Sequence, residues 1–497
     1  MDLKRKICLE PTHENVVVDG ILRYPDTGLK VLVVGAGPGG LMTALEFWRK
    51  GHTVEILEKA NDISPIGDAI FLSPSGVCGL HKYPKLMEAY PAISRDIVLT
   101  IRQWTGECIV PPYEWEWNRH DVPQHVAWPM RIRTMVERAP FSLMLYKQCE
   151  RLGIKTTFGV NIVDYVESTD AEPATVISEN GIEYIGDIVV AADGLGTKSH
   201  NVVLGKVSRA YPTGFQIARV MYHIDETHDA PMLNQLKGSR SDMRIYSGRN
   251  FHCIAAVADD IVVIGLTTPD NGIAAESWAQ GISAEEMLSR LPAQEDLDPI
   301  LPEIIRSIPH DKKVVSWKLC WRDPQSSWTS PGGRIVQLGD SAHAFIPSST
   351  MGAVAALEDA MSLAECLRLA GRGNPTVGTK VHELLRLQRV AILQRTGFAN
   401  RREAHQDTGM EGAINDAIDN DPLRIGKWVW THHAEKYVSE KFAEAKAHLM
   451  IGAPFQNSNI PEGFVWDSDW SMEKELEAER QRIPMENIKR NGDWGIY

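Results

Sequence analysis

Three glycines stand at Gly35, Gly37 and Gly40 in the spacing G-x-G-x-x-G, and an acid, Glu58, follows eighteen residues after the last of them. Residues of these types at these positions can hold the pyrophosphate and a ribose of a dinucleotide. The first glycine permits a tight turn, the second lets backbone approach the phosphates, and the third lets a helix pack closely on a strand. A helix N-terminus behind them turns partial positive charge toward the phosphates. The Glu58 carboxylate can accept a bond from a ribose hydroxyl. It argues against a 2′-phosphate at this place, and it does not separate NAD from FAD.

A second group lies far downstream, in "RIVQLGDSAHAFIPSSTMGAVAALEDAMSLAECLRLAG", residues 334–371. An apolar strand ends in Gly339-Asp340. A proline-containing loop follows, and a small-residue helix opens near Met351, with Gly352 and Ala353 in its first turn. A carboxylate at such a strand end can bind a polyol, and a helix N-terminus stabilises an anion. Reduced flavin is anionic at its N1–C2=O edge, so this arrangement suits FAD, whereas NAD needs neither part.

These groups require particular elements to position them. Val31–Val34 is a short continuous apolar run, as expected of a central parallel strand. A helix from about Pro38 to Lys50 and a strand over His52–Leu57 complete a βαβ unit. Further along, a helix is expected over about Pro140–Leu152, strands through Gly159–Glu167 and Val176–Tyr184, and a buried strand in Asp187–Gly194. Residues 205–325 carry many β-like runs and a helical stretch near Ala284–Leu291, which reads as a mainly antiparallel sheet. Residues 1–29 read as an irregular leader. Residues 30–204 together with 326–375 form a discontinuous nucleotide-binding domain, and 376–497 form a helical region broken by Pro422, Pro454 and Pro461. The final "SMEKELEAERQRI" reads as a charged helix with a solvated face. The expected fold is α/β: a Rossmann-like domain with an inserted antiparallel sheet domain and a C-terminal helical region.

Bulk composition narrows the class. The 497 residues are 43% hydrophobic and 24% charged, which is ordinary globular material. Fifty-two Lys and Arg against 65 Asp and Glu leave a net charge of −13, which speaks against a nucleic-acid surface. Seven cysteines stand singly with no CxxC pair, as expected of a reduced intracellular, cytoplasmic protein without a zinc site. No run of about 18 apolar residues occurs, so no membrane span is expected. No metal-ligand motif such as HExxH is present. The composition leaves oligomeric state open.

Gly35/Gly37/Gly40, Asp193-Gly194 at a strand end, and Gly339-Asp340 with His343 and Pro347 together resemble the three fingerprints of the class A flavoprotein monooxygenases of the para-hydroxybenzoate hydroxylase fold. The resemblance spans most of residues 30–375. Arg138 sits where that family has an arginine beside the flavin. The tail "KWVWTHHAEKYVSEKF" resembles a fungal salicylate-hydroxylase-like subgroup that includes indole monooxygenases forming spiro-oxindoles. The resemblance implies non-covalent FAD, transient reduction by NADPH or NADH, and O₂ activation as a flavin C4a-hydroperoxide. It implies oxygen transfer to an electron-rich aromatic, with an indole as the sharper expectation and a phenolic acid as the alternative. Two positions depart from the family pattern. His200 replaces the arginine of DGxxSxxR, and Thr350 replaces a glycine of PxxGxG, the loop over the flavin. A flavin-less binding protein of the same fold is the alternative that those two departures would favour.

The resemblance makes Gly35, Gly37, Gly40, Glu58, Arg138, Asp193, Asp340, Gly352 and Ala353 the expected cofactor-binding residues. Asp68 and Arg219 are the expected catalytic pair. A donor over an epoxide oxygen would promote ring opening, and a carboxylate could hold an indole N–H. Their bland readings are a turn residue after Gly67 and an ion-pairing strand residue. His343 reads as a structural histidine near the loop, and Thr431–His433 as solvated surface. The Trp115–Trp128 segment reads either as a packed capping loop or as an aromatic entry for substrate.

Overall fold

The computed structural model describes residues 11–63, 67–118, 132–168, 172–208, 210–227, 230–236, 241–272, 281–292, 296–405, 426–467, 469–483, 488 and 491–495. Trp128 and Pro422 of the sequence reading lie outside these residues.

A five-stranded parallel sheet forms the nucleotide-binding half, in the spatial order Lys155–Phe158, Thr53–Glu58, Lys30–Val34, Ile188–Ala191, Ile335–Gln337. The central strand is apolar on both faces because both are covered. Val31 and Val33 pack with helices Pro38–Arg49 and Gly352–Ala370, while Leu32 and Val34 pack under an antiparallel meander of Ile162–Val166, Ala174–Ser178 and Glu183–Gly186. A Cβ added at Gly39 would meet the Ala356 Cβ at 3.2 Å, so the two helices approach almost to backbone contact. The observed helix Arg138–Arg151 starts two residues before the expected Pro140.

The second sheet has eight strands, ordered Gly281–Ile282, Val314–Trp321, Tyr211–His223, Ile261–Pro269, Phe251–Ala258, Asp242–Gly248, Val98–Gln103, Cys108–Tyr113. Its last two strands come from within the first half of the chain, and Asp242–Gly248 pairs with Val98–Gln103 in parallel. The expected boundaries of 205–325 therefore miss part of this sheet, because strand recruitment over so long a separation leaves no local mark. Alternation along the strands gives the sheet two faces. Ala218, Val220, Tyr222, Cys253 and Ala255 pack under helices Pro231–Leu236, Ala284–Ser289 and Ile300–Arg306. Met243, Ile245 and Ala256 face the nucleotide-binding half. A small sheet of Ala69–Phe71, Met135–Glu137 and Ser94–Arg95 lies within that half.

The leader is not wholly irregular. Val16–Val18 and Ile21–Arg23 form a hairpin whose turn, Asp19-Gly20, takes φ of +53° and +78°. Asp-Gly between short apolar runs is a hairpin signal, and buried Ile21 anchors it. The C-terminal region is helical, with Pro375–Ala404, Ala434–Ile451 and Met472–Arg480. The last of these is not simply a solvated face. Its Met472 is buried with Trp321 and Phe398, and Glu479 pairs with buried Arg401 at 2.5 Å. Charged residues there answer arginines on the neighbouring helix, which charge counting along one segment cannot reveal. No helix among the described residues is long and apolar enough to cross a membrane.

Candidate active site

Each glycine of the first motif has its own steric reason. Gly35 takes φ +106°, and a Cβ there would lie 2.3 Å from the Ala192 carbonyl oxygen. A Cβ on Gly40 would lie 2.1 Å from the Gly35 carbonyl oxygen, so the helix can sit on the strand only without it. Gly37 differs: an added Cβ meets nothing within 4 Å. The space in front of it is open, and helix Pro38–Arg49 begins there with no side-chain cap and no acid in its first turn. Open space before an uncapped helix N-terminus is what a pyrophosphate needs. Glu58 accepts from the amides of Ala36 at 2.7 Å and Ala60 at 2.8 Å, which fixes its carboxylate at the end of its strand. Each oxygen keeps a lone pair for a ribose hydroxyl.

Asp193 and the Gly339-Asp340 loop meet across the sheet top. The Asp193 carboxylate accepts from the Tyr165 hydroxyl at 2.8 Å and from Ser341 at 3.0 Å, and Ser341 also accepts from the Gly194 amide at 2.8 Å. Asp193 thus latches two strand ends together. Asp340 has an exposed side chain, yet it is set so deep that burial raises its carboxyl above the ordinary range, opposed by His343, Arg138 and Arg322. It therefore lines an open cleft. Helix Gly352–Ala370 opens beside this loop with no side-chain cap and no acid in its first turn, so Gly352 and Ala353 present backbone amides. Two uncapped helix starts, an open glycine and a cleft-lining carboxylate fit FAD, whose diphosphate, ribityl chain and anionic ring edge need those groups.

His343 is buried and bonds Asp359 through Nε2 at 2.6 Å, the structural role expected of it. His200 is also buried, and burial lowers its pKa. Thr350 stands in the left-handed region at φ +57°, the conformation for which the replaced glycine is suited. Its hydroxyl donates to the Ser349 carbonyl at 2.7 Å, and Ser348 bonds the Gly397 carbonyl at 2.8 Å, so this loop is pinned to helix Pro375–Ala404. A β-branched residue at positive φ stores on the order of 1–2 kcal/mol. Thr350→Gly is expected to stabilise the protein by about 0.5–1 kcal/mol after the entropy of glycine is deducted, and Thr350→Val to destabilise it. Thermal unfolding of the flavin-loaded protein checks both.

The structure brings Asp68, Arg138 and Arg219 together. Asp68 accepts the Arg138 amide at its backbone carbonyl, 2.9 Å, and its carboxylate lies 3.0 Å from Arg219 Nε. Gly67 takes φ +140°, and a Cβ there would lie 2.7 Å from Arg138 Cδ. Burial lowers the Arg138 pKa, opposed by Asp340 and Asp68. Arg219 lies on the central strand Tyr211–His223, opposite Gly265. The pair joins the loop after the Glu58 strand to the large sheet.

A family model described as an FAD binding domain matches residues 28–378. FAD-dependent monooxygenase fsr3 of Gibberella fujikuroi is 35% identical over 95% of this chain and 91% of its own. The chain belongs to the FAD-dependent monooxygenases. FAD-dependent monooxygenase mdpD of Emericella nidulans is 36% identical to this monooxygenase over 95% of its chain and 91% of the relative. Among solved structures, CtdE in complex with FAD and substrate 4 superposes with a TM-score of 0.75 at 25% identity, covering 85% of this chain and 99% of that one. A salicylate hydroxylase substrate complex superposes at 0.63 and 20% identity over 86% and 100%, a likeness of fold. The monooxygenase is thus an enzyme of a class A fungal subgroup, and the flavin-less reading of His200 and Thr350 falls away.

Two readings need correction or completion in this enzyme. Thr431–His433 is not solvated surface on a helix. Helix Lys427–Trp430 ends before it, His433 caps Ala434–Ile451 by accepting from the Lys436 amide at 3.4 Å, and burial drives the His432 pKa well down beside Arg389 and Glu358. The described part of the tryptophan segment is a packed cap: Trp115 and Trp117 are buried, stacked at 5.1 Å, with Phe71 at 5.8 Å from the first and Trp430 at 6.2 Å from the second.

Sequence reasoning also missed the ionic cluster under the Asp340 loop. Asp359 accepts from the Gly339 amide at 3.3 Å, from Arg386 Nε at 2.9 Å and holds His343; Glu358 binds Arg386 at 2.6 Å and Arg389 at 3.0 Å. Two adjacent acids in an otherwise small-residue apolar helix were the available signal, since acids are almost never buried unless paired.

Proposed function

We propose that this monooxygenase uses NADPH or NADH and O₂ to insert one oxygen atom into an electron-rich, uncharged aromatic, with an indole as the leading substrate class and 2,3-epoxidation with rearrangement to a spiro-oxindole as the leading outcome. Bound FAD supplies the activation of O₂. The observation that carries the reading is the Asp68–Arg219 pair, 3.0 Å apart. Its carboxylate accepts an indole N–H and fixes the ring orientation. Its guanidinium donates to the oxygen newly attached to the ring and assists opening of the strained product. Gly265 opposite Arg219 leaves the sheet floor flat: the nearest atom to an added Cβ is Ile217 Cδ1 at 3.4 Å. The packed Trp115 and Trp117 side chains exclude water behind Phe71.

The phenolic-acid alternative is less well supported. Arg219 already has its charge answered by Asp68, so a substrate carboxylate must displace an existing ion pair. A neutral ring that donates to one partner and accepts from the other uses the pair as it stands.

The test is oxidation of NADPH and NADH by the yellow protein with a panel of indoles and of phenolic acids, read with product mass. Indole-triggered oxidation with gain of one oxygen supports the reading. Asp68→Asn is expected to lower kcat/KM by about 10- to 100-fold, some 1.4–2.8 kcal/mol of transition-state stabilisation. Turnover of phenolic acids alone, with Asp68→Asn unimpaired, would sink it.

A further inference from the structure

The large sheet face that carries Arg219 is apolar over most of its width, with Met243, Ile245, Ala256, Ile254 and Val263 packed against the nucleotide-binding half. At one end it changes character. His252 pairs in register with Ser247 on one neighbouring strand and with Thr267 on the other. Ile254, two residues from His252, pairs with Gly265, which pairs with Arg219. Side chains two apart on a strand share a face, so Ser247, His252 and Thr267 form a polar row on the Arg219 face. Above it stands His405, whose Nε2 lies 2.6 Å from His252 Nδ1.

All four are buried, and among the described residues neither the Ser247 hydroxyl nor the Thr267 hydroxyl has a hydrogen-bond partner. Leaving a buried hydroxyl unpaired is unfavourable, and here two stand side by side around an imidazole. His252 spends Nδ1 on His405 and keeps Nε2. Burial holds its pKa down at about 4, so the ring is neutral and can donate or accept.

The geometry points to a second polar subsite on this face, formed by Ser247, His252 and Thr267 and backed by His405, that takes a hydroxyl or carbonyl oxygen at the far end of an extended aromatic substrate. It rests on the reading that the reacting ring sits beside Asp68 and Arg219. Two strand spacings and two residues separate Arg219 from His252, roughly 12 Å between backbones. Allowing for the side chains' reach, that span suits two or three fused rings. Gly265 and Ile254 form the floor between the two ends.

The experiment titrates the flavin-loaded enzyme with 2-hydroxycarbazole and with carbazole, reading the perturbation of flavin absorbance, which needs no turnover. The wild type is expected to bind the hydroxylated compound about 10-fold more tightly. Ser247→Ala with Thr267→Val is expected to bring the preference below about 2-fold with carbazole affinity unchanged, whereas Thr267→Ser, which keeps a hydroxyl, retains it. Equal binding of the two compounds by the wild type, a preference that survives Ser247→Ala with Thr267→Val, or no spectral change with either compound overturns the subsite. Failure of the oxygenation reading looks different: the binding preference persists while neither compound triggers NADPH or NADH oxidation.

Discussion

Glu358→Ala is expected to destabilise the protein by about 3–5 kcal/mol, because it strands two buried guanidinium groups at once. Glu358 is fully buried, as are Arg386 and Arg389, and its carboxylate bonds both. Those arginines hold its pKa far below the usual carboxylate range against the opposing effect of burial. Arg389 also donates to the carbonyls of Trp428, Val429 and Asn459, so the C-terminal region loses its anchor with the same change. Urea unfolding of variant and wild type measures the effect. Glu358→Gln, which keeps the acceptor but not the charge, should fall between them. A loss below about 1 kcal/mol for Glu358→Ala would mean that water reaches the arginines and the cluster is not sealed.

The second expected result is a fall in stability on mild acidification, beginning well above the titration of the carboxylates. His52 and His382 are held at about 3 and His252 at about 4, each chiefly by burial. In the unfolded chain these histidines take a proton near pH 6.5, and in the folded chain they refuse it. Below pH 6.5 the unfolded state therefore binds more protons, and stability falls as pH drops toward the folded values. Each contributes about 1.4 kcal/mol per pH unit, so these three alone should lower stability at pH 5.5 by on the order of 4 kcal/mol relative to pH 7.5. Glu46 and Glu365, held at about 2 by Arg49 and by Arg368 and Lys50, against the larger opposing effect of burial, contribute stability that is complete above about pH 4.5 and is lost only below it. Melting temperatures at constant ionic strength from pH 7.5 down to about pH 3 separate the two ranges. A flat profile down to pH 5 would show that the histidines are not buried as neutral rings.

The nucleotide half was legible because its chemistry is local. Gly35, Gly37, Gly40 and Glu58 sit within one βαβ unit; Gly40 is forced by the Gly35 carbonyl and Gly35 by Ala192 at the end of the neighbouring strand, while Gly37 keeps open space before the helix. Asp340 was legible because an apolar strand ending in Gly-Asp stands out against its neighbours. The large sheet was half legible: period-two alternation announced strands after residue 205, but nothing in Val98–Tyr113 says which sheet it joins. Charge was the least legible property. The acids of helix Met472–Arg480 and the histidines at 432 and 433 look solvated along the sequence, and only the fold supplies the arginines and tryptophans that enclose them. Asp68 and Arg219 were singled out one by one, but their meeting at 3.0 Å was not legible, because it depends on how the loop after the Glu58 strand lies over a sheet made 150 residues later.

The order of strands in the parallel sheet also sets a timetable for the ribosome. Its first four strands are synthesised before Ala192, but the fifth, Ile335–Gln337, and the Asp340 loop that follows it emerge only after the whole inserted sheet. The cluster that braces this loop closes later still, when Asn459 arrives to accept from Arg389. The nascent chain thus carries a glycine-lined half-cradle through most of its own synthesis, with slow, long-range strand pairings still to make. Flavin loading is therefore expected to come late in the biosynthesis of this fold. A chain cut short before its last fifth would present the dinucleotide motif intact and still emerge colourless.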